Sequence, residues 1–290
     1  MGGHGSPPEA ALPTFLIIGA QKCGTGSLWA YLREHPEVFL PSTKEINFFV
    51  EPGDAVDIRR YERWFQGASH ALAVGEASPS YSMFPMTPDV PAKIASVLPD
   101  VRLIYLMRDP FERMRSSYHQ RLAEGSERRP ISKALLVDPS YVQISMYATQ
   151  LERYRRWFPR EQLLLLTAEQ LKRNRSDTLR TVLSFIGVDP EWQPARLDAE
   201  HNTSAQKQRA PRHWVRLLGD ALIRSGVVRF SHSSDAPKPL THPLMSRRIR
   251  SSDVAMSDGL REQLLPVIRP EVAGVADLMP SSFDGWGLLD

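Results

Sequence analysis

Short apolar runs alternate along the first two thirds of the chain with longer segments of helical periodicity. Apolar runs at residues 14–19, 71–75, 102–107 and 163–166 predict four strands. Helical periodicity predicts helices over residues 25–34, 90–98, 110–124, 140–158 and 178–186. Strands that alternate with helices are typical of a parallel sheet covered on both faces. We therefore predict an α/β fold with a central, mostly parallel sheet flanked by helices.

The two ends of the chain depart from this alternation. Residues 1–13 are rich in glycine and proline, and we interpret them as a disordered leader. Between about residues 190 and 255, prolines, serines and basic residues dominate around one predicted helix at 213–224. This variable, basic region is either a solvated surface or a part of a binding site. A last helix near 257–278 completes a single domain over residues 14–290.

Charge and cysteine content narrow the class of protein. A net charge of +3 does not argue for a nucleic-acid partner, although local basic clusters still suit an anionic ligand. Cys23 is the only cysteine, so no internal disulfide forms and a reducing compartment is favoured. No apolar run reaches the roughly 18 residues that span a bilayer. We expect a cytoplasmic protein with no stable membrane anchor.

The strongest chemical signal is the run FLIIGAQKCGTGS at residues 15–27. A strand feeds a glycine-punctuated loop that opens into a helix, which aims unpaired backbone N–H groups and the positive helix end at one point. In the nucleotide-triphosphatase P-loop the lysine follows the second glycine, whereas here Lys22 lies inside the loop. The candidate phosphate ligands are Lys22, Cys23, Gly24, Thr25, Gly26 and Ser27. The alternative is a strand-to-helix turn with incidental glycines.

A second anion site is predicted where the third apolar run ends. Arg108 follows that run directly, and open α/β sheets bind ligands at the carboxyl ends of their strands. Its guanidinium matches phosphate oxygens, and the hydroxyl of Ser116 on the next helix completes a cradle. The neighbouring Arg113 and Arg115 are expected to face solvent. Alternatively, Arg108 ends the strand and pairs only with Asp109 or Glu112.

Four segments, taken in order, resemble a known family. They are residues 15–27, KEINFF at 44–49, GEASPSY at 75–81 and LIYLMRDP at 103–110. Together they are similar to the sulfotransferases that use 3′-phosphoadenosine-5′-phosphosulfate (PAPS), above all the heparan sulfate type and its bacterial relatives. The likeness is weaker over residues 145–190 and weakest in the C-terminal third. It implies a P-loop-like sulfotransferase fold and enzymatic sulfuryl transfer that leaves 3′-phosphoadenosine-5′-phosphate (PAP).

The resemblance also implies roles for individual residues. Arg108 and Ser116 would bind the donor's 3′-phosphate, and Lys207 and Arg209 would close over the donor. Lys22 would stabilise the leaving phosphate, and Glu45 would act as the general base. Residues 46–49 are apolar and are expected to desolvate Glu45 partly; an ordinary surface pair with Lys44 is the alternative. We find no carboxylate cluster or histidine pair that builds a metal site, so no metal is predicted.

The acceptor is the least defined part of the prediction. It is expected to enter between residues 44–49, residues 78–84 and the C-terminal third, with Lys44, Phe48, Ser78 and Tyr81 as candidate contacts. A small molecule, a glycolipid or a carbohydrate fits, sulfated on a hydroxyl or an amine. The sequence indicates neither the oligomeric state nor a residue that stacks on adenine.

The chain also departs from the heparan-type pattern. Ala77 stands where that pattern has a lysine, so a second cation is either absent or supplied by Lys44. Cys23 is either a reactive thiol at a helix start or, as we favour, a passive one. Two other functions stay open, a P-loop small-molecule kinase and a nucleotide-binding module without catalysis.

Overall fold

In a computed structural model the protein is described over residues 12–53, 56–195 and 249–289. Five parallel strands form one sheet in the order β2-β3-β1-β4-β5. The strands are β1 (Phe15–Gly19), β2 (Val38–Phe39), β3 (Ala73–Ala77), β4 (Arg102–Met107) and β5 (Leu163–Thr167). Helices flank this sheet, so the predicted α/β class is confirmed, and every pairing in the described sheet is parallel.

Ten helices accompany the sheet in the described residues. They are α1 (Thr25–Leu32), α2 (Ile58–Glu62), α3 (Val90–Val97), α4 (Pro110–Glu124), α5 (Ile131–Val137), α6 (Ser140–Gln143), α7 (Tyr147–Arg155), α8 (Ala168–Arg173), α9 (Arg175–Ile186) and α10 (Asp258–Ala276). Among these helices none is long and apolar enough to cross a bilayer.

The single helix predicted over residues 140–158 is wrong, because the chain breaks between α6 and α7. Ser145 lies in this break with its side chain fully buried. Its hydroxyl accepts a hydrogen bond from Nε of Arg113 at 2.5 Å and reaches the carbonyl oxygen of Pro110 at 3.4 Å. A serine that bonds to distant groups competes with helix continuation, and a periodicity pattern does not contain that bond.

The central strand of the sheet, β1, is buried throughout and lies between two neighbouring strands. All five residues of β1 are buried, and this strand pairs with β3 on one side and β4 on the other. Phe15 lies opposite Gly75, and a Cβ atom at Gly75 would stand 2.4 Å from the Phe15 ring. Glycine at this position therefore allows the ring to lie flat against the neighbouring strand.

The chain divides into two compact units. The first contains Met1–Arg113, Val142–Asn202 and Leu264–Asp290, and it holds the whole sheet. The second contains Met114–Tyr141 and Thr203–Gln263. Inside the second unit, Arg129 donates to buried Glu127 at 2.6 Å, and this bond lowers the carboxyl pKa to about 2. The prediction of one domain over residues 14–290 stays a prediction.

Several sequence predictions fall outside the described residues. These are most of the leader at residues 1–13, most of the basic region at about 190–255 and the helix at 213–224. The last predicted helix lies within the description and is confirmed as α10.

Candidate functional site

Three loops leave the sheet at the carboxyl ends of β1, β3 and β4, which are adjacent strands. Backbone hydrogen bonds hold the starts of these loops together. The amide of Ala20 donates to the carbonyl of Leu106 at 2.6 Å, and the amide of Ser78 donates to the carbonyl of Ile17 at 3.1 Å. This edge is where parallel α/β sheets bind ligands, and it carries both predicted anion sites.

The loop from β1 to α1 has the backbone geometry of an anion site. Lys22 (φ 73°) and Gly24 (φ 94°) both lie in the left-handed region, and Gly24 is the N-cap of α1. No side chain caps the helix, and its first turn carries no acidic residue. The amides at its start are therefore arranged for an external acceptor.

Cys23 is a structural part of this loop. Its side chain is fully buried, and its sulfur lies 3.7 Å from the hydroxyl of Tyr147. Burial raises the thiol pKa to about 11, against the opposing charge of Arg113 and the Tyr147 hydroxyl. At neutral pH the thiol is protonated, which favours the passive role over the reactive one.

The burial of Arg113 differs from what the sequence predicted. We expected it to face solvent, yet it is fully buried. Its charge acts on the pKa of Cys23, so it lies near the phosphate loop. The guanidinium adds positive charge beneath the loop, where an anionic ligand benefits from a low local dielectric. The sequence around Arg113 carries no signal of this burial, because its partner Ser145 is 32 residues away in the chain.

Arg108 begins the loop that follows β4. The Tyr147 hydroxyl fixes its backbone, donating to the Arg108 carbonyl at 2.8 Å and accepting from the Arg108 amide at 3.4 Å. The same hydroxyl contacts the Cys23 sulfur, so one side chain touches both candidate anion loops. The Arg108 side chain is 30% exposed and pairs with Glu112 at 3.4 Å. That distance is long for a charged pair, so a phosphate can compete for the guanidinium.

The loop before the 3₁₀ turn at Phe48–Val50 carries the predicted base. The amide of Glu45 donates to the carbonyl of Ala77 at 3.0 Å, and the amide of Asn47 donates to the Ser78 hydroxyl at 3.0 Å. Both bonds dock the loop at the end of β3. Glu45 is 53% exposed and pairs with Lys44 at 2.5 Å. The expected desolvation of Glu45 is therefore wrong in this structure, where the alternative pairing with Lys44 is formed.

Strained backbone concentrates at the same edge. In the described residues, four non-glycine positions have left-handed φ, namely Lys22, Glu45, Asn47 and Trp286. Such conformations cost about 1–3 kcal/mol each and persist where surrounding contacts enforce them, often at functional sites. Both predicted catalytic residues belong to this set of four. The strain therefore supports the two candidates that were chosen from sequence.

A buried carboxyl is connected to the Glu45 loop by hydrogen bonds. Glu76 on β3 is 1% exposed, and the Tyr81 hydroxyl donates to its Oε1. That hydroxyl also accepts a long hydrogen bond, 3.5 Å, from the amide of Phe49 in the turn after Glu45. Burial raises the pKa of Glu76 to about 7, against the nearby Tyr81 and Tyr61 hydroxyls. The chain Glu76–Tyr81–Phe49 thus connects the sheet to the loop.

Two predicted acceptor contacts have different surroundings from those expected. Ser78 is fully buried, and Tyr81 is 1% exposed. Their hydroxyls bond to the backbone of the Glu45 loop, so both side chains shape that loop from inside. Phe48 is 7% exposed, while Lys44 is partly exposed beside Glu45. Sequence reasoning quoted Glu76 without assigning it a role; a charged residue inside the apolar run AVGEA was the available signal.

The chain matches the sulfotransferase domain over residues 12–225, and this match includes all three loops. The chain belongs to the sulfotransferase family.

Individual sulfotransferases show the same relationship. Heparan sulfate glucosamine 3-O-sulfotransferase 3B1 of Mus musculus is 32% identical over 194 residues, 61% of this chain and 46% of that enzyme. Bifunctional heparan sulfate N-deacetylase/N-sulfotransferase 2 of Homo sapiens is 29% identical over 201 residues, 62% of this chain and 22% of that enzyme. The chain thus spans about half, or less, of the length of these relatives.

A solved sulfotransferase structure has the same fold over nearly the whole chain. The crystal structure of the sulfotransferase from Alicyclobacillus acidocaldarius aligns with a TM-score of 0.67 at 25% identity. The alignment covers 96% of this chain and 99% of that one.

The remaining sulfotransferase site predictions are placed as follows. Ser116 lies on α4 within the second compact unit, with its side chain 9% exposed. Its pairing with Arg108 around one phosphate stays a prediction. Lys207 and Arg209 lie outside the described residues. No group of three or more metal-ligating side chains occurs among the residues that are described.

An aromatic ring, that of Trp286, lies beside the first turn of α8, just after β5. The Trp286 indole N–H donates to Glu169 at 3.2 Å, and the other Glu169 oxygen accepts from the amide of Asp109 at 3.2 Å. Trp286 also contacts the ring of Tyr147, with centroids 6.0 Å apart. The C-terminal segment of this sulfotransferase is thereby bound to the start of the Arg108 loop. Sequence reasoning missed this contact because 117 residues separate its partners.

Proposed function

We propose that the protein transfers a sulfuryl group from PAPS to a hydroxyl or an amine of a carbohydrate, glycolipid or small-molecule acceptor. The observation that carries this proposal is the contact of one hydroxyl, that of Tyr147, with both Cys23 and Arg108. It brings the two candidate anion loops together at one edge of the sheet. A ligand with phosphates at the 5′ and 3′ positions of one nucleoside suits two adjacent anion sites.

The donor would be held mainly by fixed groups. The amides of residues 24–26, at the start of α1, would face the 5′-phosphate, because those of Cys23 and Ser27 already donate to the carbonyls of Ala20 and Gly24. Lys22 would lie beside the bridging oxygen. Arg108 would bind the 3′-phosphate. Amides and guanidinium groups that are already oriented lose little freedom on binding, which is how electrostatic preorganisation contributes to catalysis.

Transfer would then proceed by in-line displacement. The acceptor oxygen or nitrogen attacks sulfur, and the bond from sulfur to the bridging phosphate oxygen breaks. Its electron pair stays on that oxygen, where the charge of Lys22 stabilises it. The acceptor proton passes to Glu45. In this scheme the sulfuryl group competes with Glu45 for Lys44, and release of that ion pair exposes the carboxylate to the acceptor.

The choice of acceptor atom stays open within this proposal. The relatives include a 3-O-sulfotransferase and an enzyme with N-sulfotransferase activity, at similar identity to this chain. Both names specify heparan sulfate as the substrate of those proteins. A carbohydrate acceptor is therefore the first class to test here.

Nucleotide binding in the presence of a chelator tests the proposal. We expect PAP to bind at least about tenfold more tightly than adenosine 5′-monophosphate, because only PAP carries the 3′-phosphate. Titration calorimetry measures both affinities on the same protein. Equal affinities would contradict the proposal. Tighter binding of adenosine triphosphate in a parallel titration with Mg²⁺ and without chelator would also contradict it and would favour the kinase.

A further inference from the structure

The 3₁₀ turn at Gly285–Gly287 has an unusual backbone. Gly285 (φ 61°), Trp286 (φ 57°) and Gly287 (φ 68°) are three consecutive residues in the left-handed region. A side chain as large as tryptophan rarely adopts this conformation, which persists only where surrounding contacts enforce it. The contacts of Trp286 therefore indicate what the turn does.

Neighbouring groups hold the indole of Trp286 in one orientation. The Asp284 carboxylate accepts a hydrogen bond from the Trp286 amide at 2.9 Å. A Cβ atom at Gly285 would stand 2.5 Å from the side chain of Leu289, so glycine is needed there. The Phe283 ring packs edge-on against the indole, with centroids 4.7 Å apart and planes at 88°. The turn is thus built around the position of one side chain.

Helix α10 fastens the segment that follows it to α7. The Glu271 carboxylate accepts from the amide and from the hydroxyl of Thr149, at 2.8 and 2.6 Å. A Cβ atom at Gly274 would stand 2.9 Å from that of Ala148, so the two helices approach closely where glycine occurs. The segment after α10 is therefore anchored on the helix that begins with Tyr147.

Two side chains hold the backbone of the Arg108 loop, and each acts on a different residue. The Tyr147 hydroxyl bonds to the amide and the carbonyl of Arg108. One oxygen of Glu169 accepts from the amide of Asp109 at 3.2 Å. The Asp109 carboxylate in turn accepts from the amide of Phe111 at 2.8 Å, at the start of α4. The point from which the Arg108 side chain leaves the backbone is thus set by α7 and α8.

Trp286 contacts both of these supporting side chains. Its indole N–H donates to the second oxygen of Glu169 at 3.2 Å, and its ring lies 6.0 Å from that of Tyr147. The negative charge of Glu169 acts on the pKa of Cys23, so this carboxylate also lies near the phosphate loop. A carboxylate released from the indole N–H could compete with a phosphate for the guanidinium of Arg108.

We propose that Trp286 is a positioning residue for the 3′-phosphate of the donor. Its indole N–H holds Glu169 on the Asp109 amide, and this arrangement orients the guanidinium of Arg108. Trp286 itself touches no phosphate in this scheme, and it acts through Glu169. The inference rests on the proposed function and adds a residue that lies beyond the matched sulfotransferase domain, which ends at residue 225.

The test measures the affinities for PAP and for adenosine 5′-monophosphate by calorimetry on the full chain. Trp286→Phe keeps a ring beside Tyr147 and removes the N–H. PAP affinity should fall about fivefold, the scale of one hydrogen bond, whereas adenosine 5′-monophosphate affinity should stay within about twofold. General damage to the fold would lower both affinities, so the ratio of the two is the decisive quantity. Trp157→Phe, at a side chain that is 55% exposed, is the matched control and should change neither affinity.

A second background tests whether the indole acts through Glu169. Glutamine at this position offers one acceptor oxygen, so it cannot accept from the indole and from the Asp109 amide with separate oxygens. The arrangement is then already broken, and adding Trp286→Phe to Glu169→Gln should change PAP affinity by less than about twofold. A fivefold loss that persists in this background would show that the indole acts by another route and would overturn the proposal.

A nuclear magnetic resonance measurement on the unmodified, ¹⁵N-labelled protein needs no variant and so does not depend on how the variants fold. The indole N–H signal of Trp286 should shift more with PAP than with adenosine 5′-monophosphate, because only PAP engages the Arg108 loop. Equal shifts, or a Trp286→Phe variant that binds both nucleotides like Trp157→Phe, would overturn the role of Trp286. Equal affinities of the unmodified protein for the two nucleotides would instead overturn the proposed function, and this inference with it.

Discussion

The donor side and the acceptor side of the proposed site consist of different kinds of chemical group. The proposed donor side, formed by the loops after β1 and β4, uses backbone amides, one lysine and one arginine, and the Tyr147 hydroxyl contacts both Cys23 and the Arg108 carbonyl. The acceptor side, formed by the Glu45 loop and a cavity beside it, uses exposed charged side chains on an aromatic base. Donor groups are thus fixed by the fold, whereas acceptor groups are side chains that can be exchanged without altering it.

This difference explains how one fold serves many acceptors. A common donor needs an invariant geometry, and backbone groups at the ends of buried strands provide it. Acceptor choice needs variation, and exposed side chains vary at little cost to the core. Glu45 joins the two sides, because its loop is anchored on β3 while its carboxylate is exposed. The predictions below separate the two sides.

Glu45→Gln should have the largest effect. Loss of a general base lowers turnover by about 10²- to 10⁴-fold. PAP affinity should stay within about twofold, because Glu45 belongs to the acceptor side. Steady-state kinetics with PAPS and calorimetry with PAP measure the two quantities. Glu34→Gln, at an exposed position after α1, is the control; retained turnover in Glu45→Gln would identify a different base.

Lys22→Ala should have the second-largest effect, a loss of turnover of about 10²-fold or more. The lysine stabilises charge that develops on the leaving phosphate, so its removal acts on the transition state more than on binding. Single-turnover rates compared with PAP affinity reveal that split. The exposed Lys133 gives a control substitution on α5. An unchanged single-turnover rate would remove Lys22 from the reaction.

Arg108→Ala tests the donor side by binding alone. We expect PAP affinity to fall by about 1.5–3 kcal/mol, or roughly 10- to 150-fold. Affinity for adenosine 5′-monophosphate, which lacks the 3′-phosphate, should be nearly unchanged. Arg102→Ala serves as control, since Arg102 is exposed at the opposite end of the same strand. Equal losses for both nucleotides would show that Arg108 does not bind the 3′-phosphate.

Glu76→Gln should change how the free energy of unfolding depends on pH. The pKa of Glu76 is raised to about 7 by burial, so the native state holds a proton that the unfolded state releases above its ordinary pKa. Stability should therefore fall as pH rises from about 4.5 to about 7 and then level off. Over this range the glutamine variant should gain up to about 3 kcal/mol relative to the unmodified protein.

Urea unfolding at pH 4.5 and pH 8 measures this gain. Glu161→Gln is an exposed control that should show no such pH-dependent difference. A constant difference between Glu76→Gln and the unmodified protein at both pH values would mean that Glu76 is ionised throughout.

Most of the fold follows from local pattern. The predictions for β1 and β4 differ from the structure by at most one residue, and α4 has the predicted bounds, because each lies in an unbroken apolar or periodic segment. The break between α6 and α7 was missed, since it depends on the distant pair Arg113–Ser145. The two-residue strand β2 is too short to have a periodicity.

The candidate site could likewise be predicted only where its residues are contiguous in sequence. The loop at residues 19–24 is contiguous in sequence, so its glycines and lysine are readable as one motif. Burial of Glu76 and Arg113, exposure of Glu45 and the contact of Trp286 with Glu169 all depend on residues far apart in the chain. Residue types indicate the chemistry available, but packing decides which groups are desolvated or paired.

The most direct test is a crystal structure of the protein with PAP. The account predicts the 5′-phosphate on the amides of residues 24–26 with Lys22 beside it, and the 3′-phosphate on the guanidinium of Arg108. The Glu112 contact of Arg108 should open, and the Tyr147 hydroxyl should stay between the two loops. A nucleotide bound away from this edge of the sheet, or one whose 3′-phosphate makes no contact with Arg108, would contradict the account.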